Sequence, residues 1–190
     1  IVFNGLLAYV LGILKPKGHK IIFSLVMWSL LIPPTTSLVS LYVNINRFGL
    51  NKSFWPLWMA MGANAFWVVL FKEYFESLPK EYLEAARMDG CTDLGIFAKI
   101  ILPLSKPIIA VIAIFAVTAS WSDFLLPFLV LAGTEKETVM VRLFEFRTAV
   151  KSTDVDILRA IFFSMVPPML LFAVFQKRIT DSVGTGGIKG

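Results

Sequence analysis

One cysteine, Cys91, and one histidine, His19, are all that this chain of 190 residues carries of either type. A single thiol excludes an intrachain disulfide, and so few soft or imidazole ligands leave no metal-binding constellation. No paired carboxylates, histidine cluster or activated nucleophile stand together, so no catalytic residues, no metal and no cofactor are expected. Charge is scarce as well. Asp, Glu, Lys and Arg make up 16% of the residues, against about 25% in ordinary soluble domains. There is no G-x-x-x-x-G-K-[ST] string; the glycines around Lys189 in the tail lack that spacing, which leaves the chain without a nucleotide site of its own. The net charge of +5 is not gathered into a basic stripe interleaved with aromatics, and nucleic acid is not expected as a partner.

What is abundant is apolar. Hydrophobic residues reach 57% and the mean hydropathy is +0.75, a composition suited to a lipid bilayer and to a polytopic all-α bundle. Residues 1–190 read as a single transmembrane domain. The stretch 1–14 is shorter than the roughly 20 residues that cross hydrocarbon as a helix, and reads as a truncated span. No basic n-region precedes it, so a signal peptide is a poor reading. The basic turn of Lys15, Lys17, His19 and Lys20 belongs in the cytoplasm by the positive-inside rule.

Four further segments are expected to span: 21–43, 55–71, 107–131 and 158–176. Pro33 and Pro34 interrupt the first, and Thr35, Thr36, Ser37 and Ser40 follow. A double proline frees backbone carbonyls, which a membrane tolerates only against protein or a water-filled cavity. Thr36 and Ser40 are therefore candidates for a translocation path; hydroxyls bonding back to their own helix are the alternative. Trp55 and Trp58 suit the membrane boundary. Asn64 is polar at depth and can bond a neighbouring helix or a solute hydroxyl. Asp123 is the one charge in 107–131, which makes it a functional candidate unless it is interfacial, and Trp121 lies beside it. Residues 133–156 form a polar outer segment with a short helix in it, and Pro167 and Pro168 are expected to kink the last span. The tail, 177–190, returns to the cytoplasm.

The longest polar interruption is 76–106. Ser77 is expected to cap a helix with Pro79 in its first turn, running to Asp89, with Tyr82, Leu83 and Ala86 packed and Lys80, Glu81, Glu84 and Arg87 wet. Gly90 supplies a left-handed residue to stop it, Thr92 caps a second helix, and Pro103 and Pro107 end that one.

Glu84, Ala85 and Ala86, then Gly90 after Arg87, Met88 and Asp89, then Ile100, Leu102 and Pro103 resemble, at every fixed position, the Glu-Ala-Ala loop of membrane subunits of binding-protein-dependent ABC importers. The chain is similar to the maltose-permease type, which carries carbohydrates. The resemblance implies the type I importer fold, usually of six spans, of which this chain lacks the first and part of the second. It implies that 76–106 is a cytoplasmic coupling loop, with Glu84, Ala85, Ala86, Asp89, Gly90, Ile100, Leu102 and Pro103 at the ATPase. The implied partners are a second, homologous permease subunit, two cytoplasmic ATPase subunits and an extracytoplasmic solute-binding protein. Trp121, Ser122, Asp123 and Phe124 resemble the Trp-Asn-Asp-Phe pattern of sugar permeases, with Ser122 in place of Asn, and the Gly-Gly-Ile-Lys-Gly ending looks like theirs.

The orientation has a second, independent support. With the loop inside, 11 of the 18 basic residues fall on the cytoplasmic side. The expected function is half of a translocation pathway for a sugar or oligosaccharide, with ATP hydrolysis left to the partner subunits. An importer subunit for a non-sugar solute is the alternative. An ATP-independent secondary transporter would need ionisable residues for ion coupling, and Asp123 is its only candidate.

Overall fold

The computed structural model describes residues 1–149 and 153–184, with the backbone alone for 177–184. The Gly-Gly-Ile-Lys-Gly ending and Lys151 lie outside the described residues. Every regular element among the described residues is helical, and the chain divides into two compact units.

The first unit comprises, among the described residues, 1–33, 62–113 and 177–184. Here α1 (Val2–Tyr9) continues into a wider π-helical turn, Val10–Leu14, in which the Lys15 N–H reaches the Val10 carbonyl at 2.9 Å. Lys15 then turns left-handed at φ 47° and ends the helix. α1 packs on α5 (Ala65–Glu76). Gly12 permits the crossing, since a β-carbon there would lie 3.2 Å from Lys72 Cγ. Leu11, Phe71, Phe75 and Ile101 have no exposed surface and form the centre of this unit. α2 (His19–Ser29) also meets α5, and the Lys72 ammonium stands 4.5 Å from the centre of the Phe23 ring.

The second unit comprises residues 34–61 and 114–176. α3 (Leu38–Arg47), α4 (Trp55–Gly62) and α10 (Leu125–Leu131) enclose a small core of Ile45, Leu126, Val130 and Leu131, with Leu38, Leu50 and Leu57 against it. α11 (Val139–Thr148) follows, and Phe144 joins Phe124 and Phe128 in a triad of rings with centroids 5.1 to 5.5 Å apart. α12 runs over Asp154–Gly184.

Several expected spans are not single helices. Residues 21–43 are divided: α2 stops at Ser29, a 3-10 turn occupies Pro34–Ser37, and α3 starts at Leu38. Pro33 and Pro34 supply no N–H to the carbonyls before them, so the double proline ends the helix instead of bending it. Residues 55–71 break between Gly62 and Ala65, and 107–131 break at Asp123 and Phe124 between α9 (Lys106–Ser122) and α10. Conversely, α12 passes through Pro167 and Pro168 without interruption. Its 23 residues Asp154–Gln176 are the one continuous helix among the described residues long and apolar enough to cross a membrane. By contacts the chain forms two compact units.

Candidate functional site

The loop 76–106 folds as a short helix, a corner and a second helical arm. α6 (Lys80–Met88) starts after Pro79, which is its N-cap. Ser77 does not cap it; that hydroxyl donates to the Tyr74 carbonyl at 2.7 Å and closes the end of α5 instead. Leu83 and Ala86 are buried in the unit, whereas Tyr82, expected on the same packed face, is 54% exposed. Tyr82 lies about 40° from Ala86 and about 100° from Leu83 around the helix, so it stands at the edge of the stripe, where its long side chain reaches out of the packed face. Glu84 and Ala85 face outward, Asp89 is the C-cap, and Gly90 takes φ +74° in open space. The Cys91 N–H returns to the Ala86 carbonyl at 3.0 Å, the closing bond of a glycine-terminated helix.

Thr92 caps α7 (Asp93–Ile96), its hydroxyl accepting from the Gly95 N–H at 3.2 Å. The arm then widens into a π-helical turn, Phe97–Ile101, and ends in α8 (Leu102–Leu104). Pro103 does not end this arm at its own position but lies inside α8, and Pro107 opens α9 as its second residue. A proline's missing N–H costs nothing in the first turn of a helix. The chain bends by 77° between the arm and α9. Of the remaining loop residues singled out in the sequence, Ile100 and Leu102 are half-buried and Pro103 is exposed.

A chain of ion pairs borders the loop. Glu76 accepts from Lys15 at 2.8 Å and from Lys72 at 2.7 Å, and these two cations hold its carboxyl below the usual value of 4.5. A cavity of about 350 Å³ opens between this group and α6, lined among others by Gly12, Lys15, Glu76, Leu83, Glu84 and Arg87.

In the second unit, two hollows of about 600 and 820 Å³ share Trp121, Leu143 and Ser164. The Trp121 indole N–H donates to the Ser164 carbonyl at 3.0 Å. That carbonyl is the one that Pro168, four residues later, cannot serve. Trp121 therefore replaces a hydrogen bond that the second proline of the pair removes, and this lets α12 continue. Glu137 closes the other side, accepting the Gly133 N–H at 2.6 Å and pairing with the Arg142 guanidinium at 2.8 Å.

The other path candidates are placed differently. Asp123 sits at the break before α10, with its carboxylate beside the backbone N–H groups that open that helix. Asn64 belongs to the first unit, where its side chain caps α5 by accepting the Trp67 N–H at 3.1 Å. Thr36, in the 3-10 turn, and Ser40, on α3, are exposed and line neither hollow. Sequence reasoning missed Asn4, 2% exposed, which accepts the Asn64 N–H at 3.0 Å, and the tyrosines Tyr9 and Tyr74. An asparagine inside an apolar segment was the available signal for the first.

Residues 5–184 match the family of binding-protein-dependent transport system inner membrane components, and the chain belongs to that family of importer permease subunits. It is 32% identical over 185 residues to a probable ABC transporter permease, YurM, of Bacillus subtilis, covering 96% of this chain and 62% of that protein. It is also 32% identical over 190 residues to the arabinooligosaccharides transport system permease protein AraQ of Halalkalibacterium halodurans, covering 100% of this chain and 68% of that one. The chain thus spans about two thirds of the length of these relatives. The fold resembles that of a chain in the crystal structure of a bacterial ABC transporter involved in import of the acidic polysaccharide alginate, with a TM-score of 0.77 at 23% identity over 93% of this chain and 70% of that one.

Proposed function

We infer that this chain forms half of the translocation pathway for a sugar or oligosaccharide and is driven by two cytoplasmic ATPase subunits that seat on the loop 76–106. A second permease subunit completes the pathway, and an extracytoplasmic binding protein delivers the solute. Coupling loop and C-terminus are cytoplasmic in this reading. The observation that carries it is the outward face of the loop. Met88 is 88%, Leu94 67% and Tyr82 54% exposed around the Glu84 to Gly90 corner, although the surrounding segment is polar and flanks the membrane. Apolar side chains clustered on a polar, ordered loop are the mark of a docking surface. The excess of basic residues on the same side supports the cytoplasmic placement. The sugar class rests on the substrate named for the AraQ relative.

In the assembled transporter, Glu84→Lys is expected to reduce co-purification of the ATPase subunit while membrane abundance is kept, because it reverses a charge at the docking face. Unchanged co-purification and uptake would remove the loop from the ATPase interface. Competition of uptake by labelled oligosaccharides tests the solute class; inhibition by amino acids and not by sugars would replace it.

A further inference from the structure

Both ends of the second arm of the loop are fastened by tyrosine hydroxyls from the packed helices α1 and α5. Tyr9, on α1 and 3% exposed, donates to the Asp93 carbonyl at 3.1 Å, 84 residues away, and its ring leans on Phe97 with centroids 5.2 Å apart. Tyr74, on α5, donates to the Leu104 carbonyl at 3.0 Å, the last residue before the 77° bend. Asp93 opens the arm and Leu104 closes it. Apolar packing alone, as between the Tyr9 ring and Phe97, tolerates sliding; a hydrogen bond is directional and weakens steeply when its angle changes. Two such bonds at opposite ends of one rigid arm oppose both translation and rotation. The first arm is held separately, by Leu83 and Ala86 in the core.

We propose that Tyr9 and Tyr74 are positioning residues that clamp the loop to α1 and α5, so that loop and helix pair move as one body when nucleotide closes the ATPases. The proposal rests on the docking reading above, but it concerns a different link: between loop and membrane helices, not between loop and ATPase. The single cysteine, Cys91, lies in the loop, and Phe3 on α1 is 76% exposed. Spin labels at Cys91 and at Phe3→Cys in the complete transporter therefore report the distance across the clamp, with and without Mg-ATP and vanadate. The native tyrosines are expected to give one narrow distribution in both states. Tyr9→Phe with Tyr74→Phe is expected to broaden it and to make it shift with nucleotide, the ratio of clamped to released forms falling by roughly fivefold for each bond lost.

A nucleotide-dependent distance with both tyrosines present overturns the proposal, and so does an unchanged distribution in the double variant. A role confined to folding would lower membrane abundance and leave the nucleotide response of the surviving complex unaltered, which also overturns it. If the double variant does not accumulate, the two single variants are read in the same way, and no change in either overturns it. Loss of the ATPase in Glu84→Lys is scored separately, so failure of docking and failure of the clamp are distinguishable.

Discussion

Around α1, α5 and the loop, large side chains such as Phe71, Phe75 and Ile101 have no exposed surface, whereas in the other unit no residue of the segment Asp154–Gln176 of α12 is fully buried. The first has a closed core, side-chain caps at Asn64 and Thr92 and the ion pairs of Glu76. The second has a small core under α3, α4 and α10, and its longest helix offers leucines, phenylalanines and methionines to whatever surrounds it. In a bilayer that exposure costs nothing, because lipid tails are as apolar as leucine. The difference teaches where stiffness is stored. Under the proposed coupling role, the unit with the closed core is the one that would transmit a push from the ATPase, and the unit with the exposed apolar helix is the one that would meet lipid or another subunit.

The comparison breaks most readily at Gly90. Its φ of +74° is strained for any residue with a β-carbon, although nothing lies within 4 Å of the position. Gly90→Val is expected to add about 1 to 2 kcal/mol of local strain, more for the branched side chain. The corner between α6 and α7 should then open while the buried core keeps the subunit inserted. Membrane abundance near normal with uptake lost in the assembled transporter is the expected pattern. Normal uptake would show that the stiff unit does not need this corner.

A smaller effect is expected at Trp121, in the adaptable unit. Trp121→Phe removes the donor to the Ser164 carbonyl and leaves that group without its partner at the double proline, at a cost of about 1 kcal/mol. The ring volume largely remains, so the helix should loosen at Pro167 and Pro168 without unfolding. Faster amide exchange confined to residues just after Pro168 is the measurement. Unchanged exchange there would mean that α12 is held by its own turns.

The smallest concerns the ion pairs that border the loop. Glu76 has its folded pKa below the ordinary 4.5, first through hydrogen bonds from Lys15 and Lys72. A depressed carboxyl stabilises the fold above its unfolded pKa, and that contribution is lost as pH falls through the lower folded value. Glu76 and Lys15 are partly exposed, so the loss is expected to stay below about 1 kcal/mol. Thermal unfolding in detergent should show the decline below pH 4.5, and Glu76→Gln should flatten it.

Much of this was legible in the residues themselves. The left-handed Gly90, the Thr92 cap, the burial of Leu83 and Ala86 and the apolar character of 158–176 follow from rules that act within one or two turns, and the structure agrees with each. The break at 30–33 was marked by Pro33 and Pro34, whereas the one at 63–64 was hidden by composition. When 57% of residues are hydrophobic, neither periodicity nor charge marks where one helix stops inside a long apolar run. Ser77 misled because a hydroxyl has two nearby uses, and the end of α5 took it before α6 could.

The chain's order of residues alone determined membrane residence, helical class and the corner that the loop makes, since hydropathy, backbone preference and capping are properties of neighbours in sequence. Only the tertiary structure decided that Tyr9 would reach Asp93, that Tyr74 would reach Leu104, and that Trp121 would serve the carbonyl abandoned by Pro168. Each of these bonds joins residues 30 to 84 positions apart. Their existence depends on how whole helices cross, and no local pattern carries that information.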